Sequence, residues 1–189
     1  NVQFEGVESI NADAVRVPRR SDGKPSLQGN KACFACPIGC GRVATIDPAS
    51  PLVSGADPQG GDRGRSKLPS GGLEYATAFA FGPMFGVDDL AAINYVNFLC
   101  NEQGMDPISL GVSIAAAMEL FEEGAITLAE TGGLDLRFGN AEALTRAAEL
   151  SAFGEGIGAE IGLGAARLCA KYGRPELSMT VKGQEFPGY

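Results

Sequence analysis

From Leu73 onward, apolar residues recur at helical spacing, and capping residues mark where each segment starts and stops. The segment "GVDDLAAINYVNFLCNEQG" has Asp88 as its predicted N-cap and Gly104 as its stop. In "SLGVSIAAAMELFEEG", Ser109 is the predicted cap and Gly124 the end. "NAEALTRAAELSAFGEG" starts at Asn140, with Glu142 in the first turn, where the helix dipole favours a carboxylate. "IGAEIGLGAARLCAKYG" closes the series at Gly173. The segment 88–103 is apolar on nearly every side, which marks a buried helix. Segments 109–123 and 157–172 are rich in Ala and Gly, so that helix backbones can approach closely. Only "SMTVKG" reads as a short strand.

Before Leu73 this periodicity fades. Residues 1–32 are polar and mixed, with a short helix predicted over 11–15 and a loop at "RRSDGKPSLQGN". Residues 41–72 are rich in turn formers, and "DPASPLVSGADPQGGDRGRSKLPSGG" reads as a long excursion. A loop of that length inside a compact domain is either functional or disordered. The expected fold is mostly α: a multi-helix domain over 73–189, preceded over 1–72 by a long irregular segment that bears cysteines, with few or no strands. Periodicity alone is equally satisfied by a packed bundle with no site of its own.

Composition narrows the function. The 189 residues carry a net charge of −8, and the 15 Lys and Arg are scattered, so no basic face for nucleic acid is expected. No run of about 18 apolar residues is present, so no membrane-spanning helix is expected. The chain begins at Asn1 without a charged-then-apolar leader, which places the protein in the cytoplasm by expectation. It has no initiator Met and stops at "EFPGY", so a processed or cut-out piece, truncated at both ends, is expected. There is no histidine, which removes His-based triads, His-ligated zinc and the usual neutral-pH proton shuttle. Any metal site must therefore rest on thiolate and carboxylate.

The thiols carry the strongest chemical signal. Five cysteines, an odd number, argue against a disulfide scaffold. Cys33, Cys36 and Cys40 lie in "CFACPIGC" with the spacing C-x2-C-x3-C. Soft thiolates select zinc or iron–sulfur clusters. Structural zinc takes four ligands, and no fourth Cys or His stands nearby. A cubane cluster also takes four, commonly with one distant in sequence. Pro37 and Gly39 reduce bulk and remove an N–H, which helps a loop wrap a large inorganic core. Cluster, zinc and simple redox use all remain open on spacing alone. Cys100 and Cys169 sit on apolar segments and are expected to be small buried hydrophobes.

"ACFACPIGCGR", followed by "GGLEYATAFAFGPMFGVDDLAAINYVNFLCNEQGMDPISLG", "AMELFEEG", "LRFGNAEAL" and "RLCAKYGRPELSMTVKGQEFPGY", resembles the tungsten-containing aldehyde ferredoxin oxidoreductases. The likeness covers nearly the whole chain, with the motifs in order. It implies that Cys33, Cys36 and Cys40 hold a 4Fe–4S cluster whose fourth cysteine comes from a later domain. It also implies a tungsten or molybdenum bis-pterin, held partly by segments of the form D-x-x-G-L-D or D-x-x-G-L-C. Asn101, Gly104, Met105 and Asp106 stand where the first of these belongs, with Met105 replacing Leu and Asn101 replacing Asp. A carboxylate accepts two pterin N–H bonds with charge assistance, whereas an amide offers one oxygen and two donors. Pterin contact at Asn101 is thus expected to be weaker or differently oriented. Without a cofactor, the same residues read as a helix end at Gly104 and an Asp–Pro turn.

"GGLEYAT" resembles the family's G-P-E-Y-E stretch beside the tungsten. The resemblance makes Glu74 a candidate catalytic carboxylate for proton handling, while Ala76 stands at the second Glu. Without it, Glu74 is an ordinary loop or helix-start carboxylate. The stretch 43–71 is longer than the family's and is a candidate lid or subunit contact. The implied function is oxidation of a small aldehyde to a carboxylic acid, with electrons passing through the cluster to ferredoxin or a similar acceptor. The family's N-terminal β domain, and the later domain with the second pterin motif, fourth cysteine and catalytic His, lie outside these residues. The piece alone is therefore expected to be inactive. The alternatives are a non-catalytic helical iron–sulfur or zinc scaffold, and part of a related CoA-thioester (aromatic ring) reductase.

Overall fold

The computed structural model describes residues 4–47, 49–50 and 70–188. Its helices are α1 (Val7–Ile10), α2 (Tyr75–Phe81), α3 (Leu90–Gln103), α4 (Pro107–Glu122), α5 (Ala141–Phe153), α6 (Gly156–Ile161) and α7 (Ala165–Lys171). Short 3-10 turns cover Ala14–Arg16 and Pro175–Leu177. The strands are β1 (Leu27–Lys31), β2 (Gly41–Ala44), β3 (Ser70–Gly71), β4 (Thr180–Val181) and β5 (Gln184–Glu185). The protein is mostly α with few strands, as its periodicity implies. Among the described residues no helix is long and apolar enough to cross a membrane.

Side-chain caps set the helix starts, and two of them differ from expectation. Helix α3 is capped by Asp89 rather than Asp88, whose neighbour's Oδ1 accepts the N–H groups of Ala91 and Ala92 at 2.9 and 3.0 Å. Helix α4 is capped by Asp106 rather than Ser109, because Pro107 is preorganised for the first helical position and makes the residue before it the cap. Asn140 caps α5 as expected, accepting from Ala143 N–H. The helix predicted over 11–15 is instead α1 followed by a 3-10 turn. Asn11 Oδ1 accepts from both Asp13 and Ala14 N–H at 2.9 Å, a side-chain turn that competes with continued helix. The single helix expected up to Gly173 is divided into α6 and α7, since Gly164 takes φ +92°, outside the range of a helix.

The N-terminal segment holds more order than its pattern suggests. Strands β1, β2 and β3 form an antiparallel sheet in that order, with Leu27 opposite Ala44, Lys31 opposite Gly41, and Val43 opposite Gly71. A bulge interrupts β1 between Leu27 and Gly29. The strand expected in "SMTVKG" is β4, which pairs with β5. Their turn, Lys182 and Gly183, has positive φ at both positions, matching the right-handed twist of a two-residue hairpin. Most of the predicted long excursion, residues 51–69, lies outside the described residues.

The core forms where the helices bury each other's apolar faces. Phe81, Phe85, Ile93, Ile114, Met118 and Leu144 have no measurable exposure. Each such side chain contributes about 2 kcal/mol through removal from water. Helix α3 packs on α5, α4 on α7, and α5 on α6. The last pair is unusually close: a Cβ on Gly158 would collide with the backbone of Leu150 and Ser151. Across α3 and α5, the Tyr95 hydroxyl donates to Glu149 Oε1 at 2.7 Å, and Arg146 Nη1 lies 3.1 Å from Oε2. Burial pushes the Glu149 carboxyl above its ordinary value of 4.5, and the bonds from Tyr95 and Arg146 only partly oppose this.

Two outcomes are expected. Gly158→Ala should lose about 3 kcal/mol of stability by overpacking, read from the urea midpoint at constant m-value. The second concerns Glu149, whose folded-state pKa is raised. Its stability contribution is complete below about pH 4.5 and is lost as pH rises through the raised value. Glu149→Gln removes that titration, so its stability relative to the native protein should improve from pH 4.5 to pH 7, as measured by denaturation at both pH values.

Candidate functional site

The three clustered cysteines occupy the connection of a β-hairpin. Strand β1 ends at Lys31 and β2 begins at Gly41, opposite it, so residues 32–40 form the loop between them. Within the loop, Cys36 N–H donates to the Cys33 carbonyl at 3.0 Å, and Ala35 and Gly39 both take φ +59°. Arg42 Nη1 donates to the Cys40 carbonyl at 2.6 Å. Cys33 and Cys40 are exposed, Cys36 is partly covered, and all three thiols are free. Phe34 and Ile38 project into solvent between them, with relative exposures of 102% and 78%.

The donor chemistry of this loop suits a thiophilic metal or cluster, because the thiols are soft, accessible and close in sequence. Their side chains are not gathered: among the described residues no three Cys, His, Asp or Glu side chains form a group that would hold a metal ion. Loading would have to draw the loop together. The other two thiols are of a different kind. Cys100 and Cys169 are buried. Burial, with help from the Asp106 charge, pushes Cys100 up to about 12. Burial likewise raises Cys169, aided by Glu119 and Glu176. Both remain protonated at neutral pH and are shut away from solvent in the core.

Asn101, Gly104, Met105 and Asp106 form the junction between α3 and α4. Gly104 ends α3 at φ +68°, and the Met105 N–H donates to the Cys100 carbonyl at 2.9 Å. Asp106, an exposed residue, accepts the Ser109 N–H on Oδ1 at 2.7 Å. Met105 rests half-buried against the core. Asn101 Nδ2 donates to the Asn97 carbonyl at 2.9 Å and toward the Gly71 carbonyl at 3.3 Å.

That last contact joins the candidate elements. The Gly71 carbonyl also accepts from Asn97 Nδ2 at 2.7 Å, and Gly72 N–H donates to the Arg42 carbonyl at 2.9 Å. A continuous hydrogen-bonded path thus runs from the cysteine loop through β2 to β3 and on to α3. Leu73 then dips into the core, and Glu74 follows, exposed at the start of α2, where its side chain makes no cap bond. The Cys40 end of the loop, the Glu74 segment and the Asn101 junction are held as one unit.

A cleft of about 330 Å³ opens beside this junction, lined by Met105, Asp106, Ser109, Ser113 and Glu185 among others. Glu185 is buried, and its Oε1 accepts from Ala165 N–H at 2.9 Å and from the Ser113 hydroxyl at 3.4 Å. A more open cleft of about 700 Å³ along Asp89, Phe138 and Asn140 contains none of the candidate residues. Sequence reasoning missed Glu185, for which a two-residue strand gives no signal. It also missed Asn97, which stands one helical turn before Asn101 on the same face and was legible as such.

Comparison with known proteins covers the whole unit. A family model described as aldehyde ferredoxin oxidoreductase, domains 2 & 3, matches residues 1–189. The tungsten-containing aldehyde ferredoxin oxidoreductase of Pyrococcus furiosus is 42% identical over 164 residues, which is 86% of this chain and 24% of that protein. The protein of the same description from Thermococcus kodakarensis is 39% identical over 165 residues, 85% of this chain and 24% of the relative. The one from Pyrococcus horikoshii is 40% identical over 166 residues, 86% of this chain and 24% of its own. The chain therefore spans about a quarter of the length of these relatives.

The contrast between the two thiol classes gives a direct measurement. In the folded, reduced protein, iodoacetamide should label Cys33, Cys36 and Cys40 within minutes, while Cys100 and Cys169 react only after denaturation. Peptide mass mapping before and after adding guanidinium reads the difference.

Proposed function

The chain belongs to the aldehyde ferredoxin oxidoreductase family, and on that premise we propose that it is part of a tungsten-bispterin, iron–sulfur enzyme. In the overall reaction, aldehyde and water give a carboxylate, three protons and two electrons, and the electrons leave to ferredoxin or a similar acceptor. The observation that carries this reading is the free, accessible cysteine loop tied by hydrogen bonds to the Glu74 and Asn101 segments. Cys33, Cys36 and Cys40 would hold three corners of a 4Fe–4S cluster, which supplies one-electron relay when bound. Gly104, Met105 and Asp106 would present a turn and an exposed carboxylate to one pterin, whose N–H groups a carboxylate recognises. Asn101 belongs to the same pterin-binding segment. Glu74, exposed at the start of α2, would take up a proton as aldehyde hydrate becomes acid.

This chain supplies only part of such a centre. Three thiolates leave one corner of a cubane open, and one motif grips a bis-pterin from a single side, with few contacts to offset the freedom lost on binding. The flanking domains of the same enzyme would supply the remainder, and the site of action would be the cytoplasm.

Metal analysis after anaerobic reconstitution tests the cysteine assignment. Iron and acid-labile sulfide should load together, and Cys33→Ser, Cys36→Ser or Cys40→Ser should abolish loading. Stoichiometric zinc without sulfide would overturn the cluster reading in favour of a structural metal module. Catalytic competence is measured separately, by aldehyde-dependent reduction of a viologen dye. The 189 residues alone should stay at the background rate, and the assembled enzyme with its flanking domains should turn over. Clear turnover by the chain alone would show that the active centre is complete within these 189 residues.

A further inference from the structure

We propose that the side-chain amides of Asn97 and Asn101 form a clamp on the Gly71 carbonyl that positions the Glu74 segment against the α3–α4 junction. The assignment of Asn101 as a positioning residue rests on the functional reading above only in giving Glu74 a chemical role. The clamp itself stands on hydrogen bonds. Both atoms that Asn101 Nδ2 faces, the carbonyl oxygens of Asn97 and Gly71, are acceptors only. That fixes which end of the amide points inward. Asn97, 6% exposed, adds the shortest bond of the set to the same Gly71 oxygen.

The backbone being held is shaped to fit. A Cβ on Gly71 would lie 3.1 Å from Asn101 Oδ1, and one on Gly72 would lie 2.8 Å from the Arg42 Cβ. Two consecutive glycines thus let the segment pass between α3 and β2, bonded to both. Only Gly72 and Leu73 lie between the clamped carbonyl and Glu74, and buried Leu73 anchors that span. Among the described residues the Glu74 side chain makes no cap bond to orient it. Its location follows from the clamp on one side and α2 on the other.

This explains why an amide stands where a carboxylate was expected. An aspartate at position 101 has no proton to donate and would set a negative charge against two carbonyl oxygens. Asn101→Asp, although it restores the D-x-x-G-x-D pattern, should release the segment rather than improve the site.

Hydrogen exchange read by mass spectrometry tests the clamp on the full chain. Asn101→Asp and Asn97→Asp should each speed exchange of the residue 70–74 amides about tenfold, the loss expected for one or two hydrogen bonds. Exchange in α5 and α7 should not change. Asn101→Ala, which removes the donor without adding charge, carries the same expectation should an aspartate variant not fold. Unchanged protection at 70–74, or an equal rise through all helices, would overturn the clamp. In the assembled enzyme, Asn101→Ala should lower kcat for aldehyde at least about tenfold, by displacing the carboxylate while leaving it chemically intact. Loosened exchange with unaltered kcat would overturn the positioning role. An assembled native enzyme with no aldehyde turnover would overturn the oxidoreductase reading, and exchange would then decide the clamp independently.

Discussion

A helix buried on nearly every side must satisfy its polar side chains inside the protein, and α3 is built under that constraint. From Ala92 to Asn97 every residue is buried, including Asn94, Tyr95 and Asn97. Tyr95 meets Glu149 of α5, and Asn97 meets the Gly71 carbonyl of β3. Among the described residues the Asn94 Nδ2 has no hydrogen-bond partner. The polar groups that burial forces onto partners therefore dock the small sheet at one end and α5 at the middle. The position of the cysteine hairpin relative to the helices follows from how α3 resolves its own hydrogen bonding.

The helices were readable because their signals are local. Caps, glycine stops and a 3.6-residue apolar rhythm lie within one turn of the structure they determine, and Gly104, Asn140 and Gly173 mark boundaries in the sequence as in the fold. The errors at Asp88 and Ser109 have the same scale: adjacent or nearby polar residues compete, and a proline settles the second case. Strands β1 to β3 were not readable. "LQGNK" has no apolar alternation, and its order comes from pairing with β2, Leu27 opposite Ala44 and Lys31 opposite Gly41. Tertiary pairing, rather than intrinsic preference, makes it a strand.

The candidate site divides along the same line. The chemical identities of Cys33, Cys36, Cys40, Glu74 and Asp106 could be named from motif and spacing. Their connection through Gly71 and Gly72 could not, since it depends on backbone carbonyls that carry no sequence signature. Asn101 looked like a defect in a motif when judged by its neighbours in the chain. Its physical neighbours are two carbonyl oxygens, and for those an amide is the complementary group.

The cysteine hairpin also has a parity. Three thiols share residues 32–40, and Cys100 and Cys169 are enclosed in the core, out of reach of solvent oxidants. If dioxygen couples any two of the three into a disulfide, the remaining sulfur has no intramolecular mate. Its next available partner is the same cysteine on another molecule, exposed and flanked by Phe34 and Ile38, which would also favour association. Aerobic storage would therefore link molecules into covalent pairs, in a form that a reducing gel would hide.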